Sequence, residues 1–235
     1  MMPSLSIVMP VLNEASGIAA NLATLAPLRA RGVEVIVVDG GSADSTAVLA
    51  APWADTVITA ASGRARQMNA GAAVARGTVL LFLHADTLLP SMADQLVLEA
   101  LSPVTSRQDS PRHGADWGRF DVVIVGKPRM LRVVAWLMNL RSRWSGIATG
   151  DQAIFVRRPL FDALGGFPDQ PLMEDIELSR RLRAVSLPVC LRAKVYTSGR
   201  RWESRGMWTT IFLMWRLRWR YWRGEPAAAL AKAYR

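Results

Sequence analysis

The 235-residue sequence predicts an α/β fold, a mostly parallel sheet with helices on both faces. Two observations predict it. Four apolar runs, LSIVMPVL (5–12), VEVIVVD (33–39), DTVITA (55–60) and TVLLFLH (78–84), are rich in branched residues and nearly continuous in hydrophobicity, as strands covered on both faces require. Between them lie segments of helical character at about 14–31, 43–51 and 64–76. This β-α-β alternation implies right-handed crossovers and puts ligands at the carboxyl ends of the strands.

Each strand end carries polar residues. Strand one ends in Pro10-Val11-Leu12-Asn13-Glu14, where Pro10 bends the chain and Asn13 stands where a helix N-cap would. Strand two ends in Asp39-Gly40-Gly41-Ser42-Ala43-Asp44. The paired glycines permit a tight turn against a ligand, and Ser42 or Asp44 can cap the next helix. Asp39 serves neither purpose, and a carboxylate there suits hydrogen bonds from a nucleobase or ribose. In GRARQMNAGAAVARG (63–77), Arg64, Gln67 and Gly71 share one helix face with Asn69 nearby. Arg64 at the helix start is equally a phosphate ligand or a solvated cation. The fourth strand stops at His84-Ala85-Asp86. A carboxylate there suits Mg²⁺ or Mn²⁺ bridging phosphates, although His-x-Asp spacing is by itself unspecific.

From 102 to 116, polar and turn-forming residues read as a mobile surface loop. Beyond it the pattern predicts a strand at about 117–126, a helix at 128–141, a short strand at 152–156, a helix at 174–186 and a strand pair near 188–197. Glu174 and Asp175 open the 174–186 helix. The helix dipole favours acids in a first turn, and either acid also suits a general base.

Composition narrows the function classes. A net charge of +10, from 29 Lys and Arg against 19 acids, favours anionic partners: nucleic acid, phosphorylated ligands or an anionic membrane surface. The single cysteine, Cys190, excludes a disulfide framework, suits a reducing compartment and reads as a buried small hydrophobe. The amino-terminal stretch lacks the basic region of a signal peptide, and no uncharged apolar run approaches the roughly 18 residues of a membrane span. The expectation is a cytoplasmic protein. In the tail, MWTTIFLMWRLRWRYWRG (207–224), Trp208, Trp215, Trp219 and Trp222 fall in one helical stripe. Arg216, Arg220 and Arg223 adjoin it, and Arg218 points away. That pattern fits a helix lying on the inner face of an anionic membrane and, equally, one packed on a core.

In order and spacing, VMPVLNEA, VVDGGSADST, GRARQMNAG, FLHADT, GDQAIFVRR and MEDIELSRRLR resemble the metal-dependent family 2 glycosyltransferases over about residues 4–203. The chain is most similar to the short bacterial branch labelled radical-SAM/selenodomain-associated or arsenosugar-biosynthesis transferases, and more loosely to carotenoid-acid glucosyltransferases. The resemblance implies a GT-A fold with a Rossmann-like sheet. It also implies inverting transfer of a sugar from a nucleoside-diphosphate sugar to a hydroxyl or carboxylate of a small or lipid-like acceptor. Donor nucleotide roles are implied for Pro10, Asn13, Glu14, Asp39, Gly40, Arg64, Asn69, Ala85 and Asp86. Asp86 would bind Mg²⁺ or Mn²⁺, with His84 standing where the family has the first acid of its Asp-x-Asp element. Asp175 matches the catalytic base, with Glu174 beside it. Gly150, Asp151 and Gln152 match a segment near donor sugar and acceptor, and Arg200, Arg201 and Trp202 loosely match an Arg-Trp element near the diphosphate.

The expected organisation is a catalytic domain over 1–205 and an amphipathic helical tail over 206–235; a long membrane-spanning tail, as in processive synthases, is not expected. Two rivals remain. A nucleotidyltransferase would carry a glycine-rich, lysine-bearing loop where this chain has PVLNEASG. A nonenzymatic basic protein binding membrane or nucleic acid would leave Asp39, Asp86 and Asp175 unexplained, because acids repel phosphates. No nucleic-acid partner is expected.

Overall fold

The computed structural model describes residues 4–102 and 115–234, apart from the side chains of 201, 204 and 205. Strands β1 (Leu5–Val11), β2 (Glu34–Asp39), β3 (Thr56–Thr59) and β4 (Val79–Phe82) coincide with the four apolar runs to within about two residues, and they pair in parallel in the order β3-β2-β1-β4. The second half departs from the parallel rule. β7 (Phe155–Arg157) joins β4 antiparallel, β6 (Trp117–Val125) joins β7 antiparallel, and β8 (Val189–Ser198) runs parallel to β6. The two-residue β5 (Thr87–Leu88) closes the far edge against β8.

The expected strand pair near 188–197 is the single strand β8. Phe120 pairs with Leu191 but Asp121 with Lys194, so Arg192 and Ala193 bulge out of the ladder. The sheet also has to curl. β4 and β5 stand four strand spacings apart, about 19 Å in a flat sheet. Five residue steps from Phe82 to Thr87 reach at most about 18 Å, and a turn bond from the Thr87 amide to the His84 carbonyl (3.0 Å) shortens them. Hence His84-Ala85-Asp86 is drawn across the strand ends.

Apolar side chains alternate between the two faces, as the sequence pattern requires. Ile7, Met9, Val37, Leu81 and Phe155 pack with helices α1 (Ile18–Ala23), α2 (Ala26–Ala30) and α5 (Ala93–Leu101). Val8, Val38, Leu80 and Phe82 pack with α4 (Arg64–Val74), α7 (Arg158–Ala163) and α8 (Glu174–Val185). The helix expected over 14–31 is broken at Thr24–Leu25, because Pro27 lacks an N–H and its ring would clash with the carbonyl of Ala23. α5 and α7 were not anticipated; α7 is too short to display a helical period. The expected 102–116 loop lies mostly outside the described residues. Cys190 is half-buried on β8, less enclosed than its sequence context suggests.

The remaining helices are α3 (Thr46–Ala50), α6 (Met130–Ser145), α9 (Arg200–Arg205), α10 (Met207–Trp222) and α11 (Ala227–Tyr234). α10 and α11 bury Leu217 and Leu230 against Leu172 and Met173, in the turn before α8. Among the described residues no helix is long and apolar enough to cross a membrane.

Candidate active site

The exits of β1 and β2 are stitched together. Asn13 accepts the Ala43 amide (2.8 Å) and donates its own amide to the Ser42 hydroxyl (2.9 Å), while the Glu14 amide donates to the Thr46 hydroxyl (2.8 Å). Asn13 therefore does not cap a helix. α1 begins only at Ile18, behind Gly17, and Asn13 ties two loops instead. Asp39 is buried and accepts from the Ser42 amide (2.9 Å) and the Ser42 hydroxyl, which fixes the turn that Gly41 makes with φ 88°. Gln67 of α4 donates to the carbonyls of Val11 and Val38 (both 2.8 Å) and braces the two exits from beneath. A side chain at Gly40 would strike it, with a Cβ 2.9 Å from the Gln67 amide group.

Above this platform lies a polar cavity of about 540 Å³. Its lining brings together Pro10, Glu14, Arg64, His84, Ala85 and Asp86 with Asp151, Arg200 and Trp202. Arg200 reaches Glu14 at 3.1 Å and Asp86 at 3.8 Å, and His84 Nδ1 lies 3.2 Å from Asp151 Oδ1. Arginines and acids thus alternate along the wall, with His84 hydrogen-bonded among them, a lining suited to a ligand with both a diphosphate and hydrogen-bonding hydroxyls.

Other sequence candidates stand off the lining. Asn69 faces away, clamping the backbone of Phe167 through both side-chain atoms (2.8 and 2.9 Å). Gln152 is fully buried and closes a capping box with Thr149. The side chain of Arg201 lies outside the described residues.

Asp175 stands behind the Gly150–Gln152 turn, whose Asp151 lines the cavity, and Glu174 precedes it at the start of α8. Asp175 accepts the Gly150 amide at 2.8 Å and the Ile176 amide at 2.7 Å. Gly150 is required by close approach, since a Cβ there would lie 2.4 Å from His84 Nε2. Burial pushes the carboxyls of both Glu174 and Asp175 above their usual range. Asp175 raises Glu174 further, Asp151 raises Asp175, and the two amide bonds to Asp175 oppose its shift. Three non-glycine residues adopt left-handed backbone among those described: Asn13 (φ 53°), Ala153 (φ 47°) and Met173 (φ 66°). Each lies beside these site segments, where strained backbone tends to collect.

The buried Glu174 gives a stability test. Its native carboxyl holds a proton at pH values where the unfolded chain, with an ordinary value of 4.5, has released it. Stability therefore falls as pH rises through that interval and stays lowered at neutral pH. Glu174→Gln is expected to melt a few degrees higher than wild type at pH 7, where about 1 kcal/mol corresponds to roughly 2–4 °C in a chain of this size, with the gap closing towards pH 4. A lower melting temperature at pH 7 would mean that the ionised carboxylate is stabilising.

Sequence reasoning missed Arg141 of α6, whose buried Nε and Nη2 have no hydrogen-bond partner among the described residues. It also missed Thr197 and Ser198, which line the cavity from the end of β8. Neither had a signal, because each acquires its place only in the folded sheet, Thr197 and Ser198 on β8 paired with β6, and Arg141 on the helix that follows β6.

Residues 6–106 match the family described as Glycosyl transferase family 2. That segment carries every cavity-lining strand exit of the first half, from Pro10 to Asp86. The chain is 26% identical over 250 aligned residues to a probable glycosyltransferase, YdaM, of Bacillus subtilis, covering 97% of this chain and 57% of that protein. It therefore spans little more than half the length of that curated relative. Among solved structures it is similar to TarS of S. aureus in complex with UDP (18% identity, TM-score 0.63, covering 83% of this chain and 60% of that one). It is similar too to the mannosyltransferase PcManGT of Pyrobaculum calidifontis in complex with GDP-Man and Mn²⁺ (22%, TM-score 0.62, 93% and 61%). A third is glucosyl-3-phosphoglycerate synthase of Mycobacterium tuberculosis in complex with Mn²⁺, UDP and phosphoglyceric acid (18%, TM-score 0.58, 83% and 69%). The fold is of the GT-A type.

Proposed function

We propose that the chain is a family 2 glycosyltransferase that moves a sugar, with inversion, from a nucleoside-diphosphate sugar to an acceptor hydroxyl or carboxylate. One observation carries this reading: a polar cavity at the strand ends with an acid pair, Glu174 buried and Asp175 half-buried, behind Gly150, the neighbour of the lining residue Asp151. The nucleotide and nucleotide-sugar ligands of the structural relatives support it. In this reading the acceptor oxygen attacks the anomeric carbon, the bond from that carbon to the diphosphate oxygen breaks, and Asp175 takes the acceptor proton. A carboxylate acceptor arrives without that proton and needs no base. Arg64 and Arg200 hold the departing diphosphate. The donor nucleotide rests on Pro10, Asn13, Glu14, Asp39 and Gly40, and Asp151 and Trp202 lie on the acceptor side.

Asp86 fits a divalent cation. Among the described residues no three His, Cys, Asp or Glu side chains cluster as a metal cage. A hard ion here would complete its shell with phosphate and water oxygens, which Mg²⁺ and Mn²⁺ accept. When bound beside His84 and Asp86, the ion supplies positive charge to the diphosphate. The test of the whole reading is incubation with a panel of sugar nucleotides and Mn²⁺, measuring nucleoside diphosphate released; release from none, with and without candidate acceptors, would overturn it. The similarity to the short radical-SAM-associated branch belongs to this proposal, as does the division into a catalytic unit (1–205) and a tail (206–235).

The proposal extends to a peripheral position on the inner face of an anionic membrane. Trp208, Phe212, Trp215, Trp219 and Trp222 of α10 are exposed, as are Trp136 and Trp144 of α6. Indoles at headgroup level and guanidiniums near phosphates are the features of an interfacial helix. Arg223 stacks 4.8 Å over Trp219, whereas Arg220 is tied to Glu225 and adds little. In sedimentation with phosphatidylglycerol vesicles the protein is expected to pellet, less so at high salt. The variant Trp208→Gln/Trp215→Gln/Trp222→Gln is expected to stay in the supernatant while keeping its fold. Equal pelleting of the two would remove the membrane from the proposal.

A further inference from the structure

A second cavity, of about 880 Å³, opens between α6 and α10 and meets the polar one at Asp151 and Trp202, which line both. Its volume suits a ligand of drug-like size. The walls are largely apolar, with Leu137 and Met138 from α6 and Ile211, Met214 and Trp215 from α10. Charge among its described lining residues is one-sided: Arg141, Arg216 and Arg218 line the chamber, and Asp151 is the single acid among them. Burial holds the Arg141 guanidinium below its usual range, with Asp175 opposing that shift. Its buried Nε and Nη2 have no partner among the described residues, and an anion in the chamber, which Arg141 lines, would offset the charge of the guanidinium they belong to.

We propose that this chamber is the acceptor site and that its ligand is an acidic amphiphile. The apolar body lies between α6 and α10, a carboxylate or phosphate pairs with Arg141, and the ligand's nucleophilic end meets the donor at the Asp151–Trp202 boundary. A sugar or other wholly polar acceptor would leave the apolar walls unmatched, and a neutral lipid would leave the guanidiniums unmatched. The word acceptor rests on the transferase reading; the ligand chemistry rests on the chamber alone.

The experiment titrates cis-parinaric acid, followed by fluorescence, into the full chain and into Arg141→Gln and Met214→Trp, with UDP and GDP binding measured in parallel in the presence of Mn²⁺. Wild type is expected to bind the probe saturably. Arg141→Gln is expected to bind it about tenfold more weakly, as loss of a charged hydrogen bond predicts. Met214→Trp, which fills the chamber, is expected to weaken it by more than about tenfold. Dodecanoate and dodecyl phosphate should each displace the probe at about one tenth of the dodecanol concentration; whichever of the two is the stronger names the acidic group. Unchanged nucleotide binding in both variants would assign the loss to the chamber and not to unfolding. Equal probe affinity in all three proteins, or dodecanol matching dodecanoate and dodecyl phosphate, would overturn the proposal. Should the probe pattern hold while neither nucleotide binds any of the proteins, the chamber stands and the transferase reading falls.

Discussion

Asp175→Asn is expected to bind the donor nucleotide with near wild-type affinity and to transfer sugar about 10²- to 10⁴-fold more slowly, the usual cost of losing a general base. The two effects separate because a base acts on the transition state and contributes little to ground-state binding. The wild-type pH profile sharpens the test. Asp175 works as a base only when ionised, and burial raises its pKa above the ordinary 3.8, so the acid limb of the rate should lie above that value. That limb should vanish in the variant. Asparagine also offers one acceptor oxygen where aspartate offers two, and both are used, by the Gly150 and Ile176 amides. A melting curve must therefore accompany the kinetics. Transfer at the wild-type rate would move the base elsewhere, with Glu174 or Asp151 next in line.

The second large effect is expected at Asp86. In wild type, calorimetric binding of the donor's nucleoside diphosphate should strengthen by more than about tenfold, or 1.4 kcal/mol, when Mn²⁺ is added. In Asp86→Ala the ion should make no difference. Metal-free binding in the variant should be equal to or tighter than in wild type, because a carboxylate has been removed from beside Arg200 and the phosphates. Identical metal dependence in both proteins would place the ion elsewhere. His84→Ala is expected to show a smaller loss, since the imidazole faces Asp151.

β1, β2 and β4 were legible because each is a nearly continuous apolar run buried on both faces, β3 because branched residues dominate it although it is a half-buried edge strand, and His84 and Asp86 because one of those runs stops abruptly. Legibility failed where a side chain's partner is distant in sequence. Asn69 on α4 reads as a pocket residue, yet it holds the backbone of Phe167, ninety-eight positions away. Arg141 sits on an unremarkable stretch of helix and acquires meaning only when α10 forms another wall of the chamber that Arg141 lines. The break read between two strands at 188–197 is a bulge, a feature that apolar periodicity mimics as a strand end. Helix 14–31 was misread because its apolar period continues through a proline that the backbone cannot accommodate.

The sheet order also bears on how the chain can be cut and how it emerges during synthesis. β4 is paired on one side with β1, made early, and on the other with β7, which begins seventy-three positions after Phe82. Until β7 arrives, Val79–Phe82 presents an apolar edge of unpaired amides and carbonyls, a template for pairing with other chains. The stretch matching the family, residues 6–106, ends before that edge is covered. A recombinant fragment stopping near Ser102 would thus aggregate rather than behave as a portable nucleotide-binding module, and any split of this protein for labelling or complementation belongs after β7.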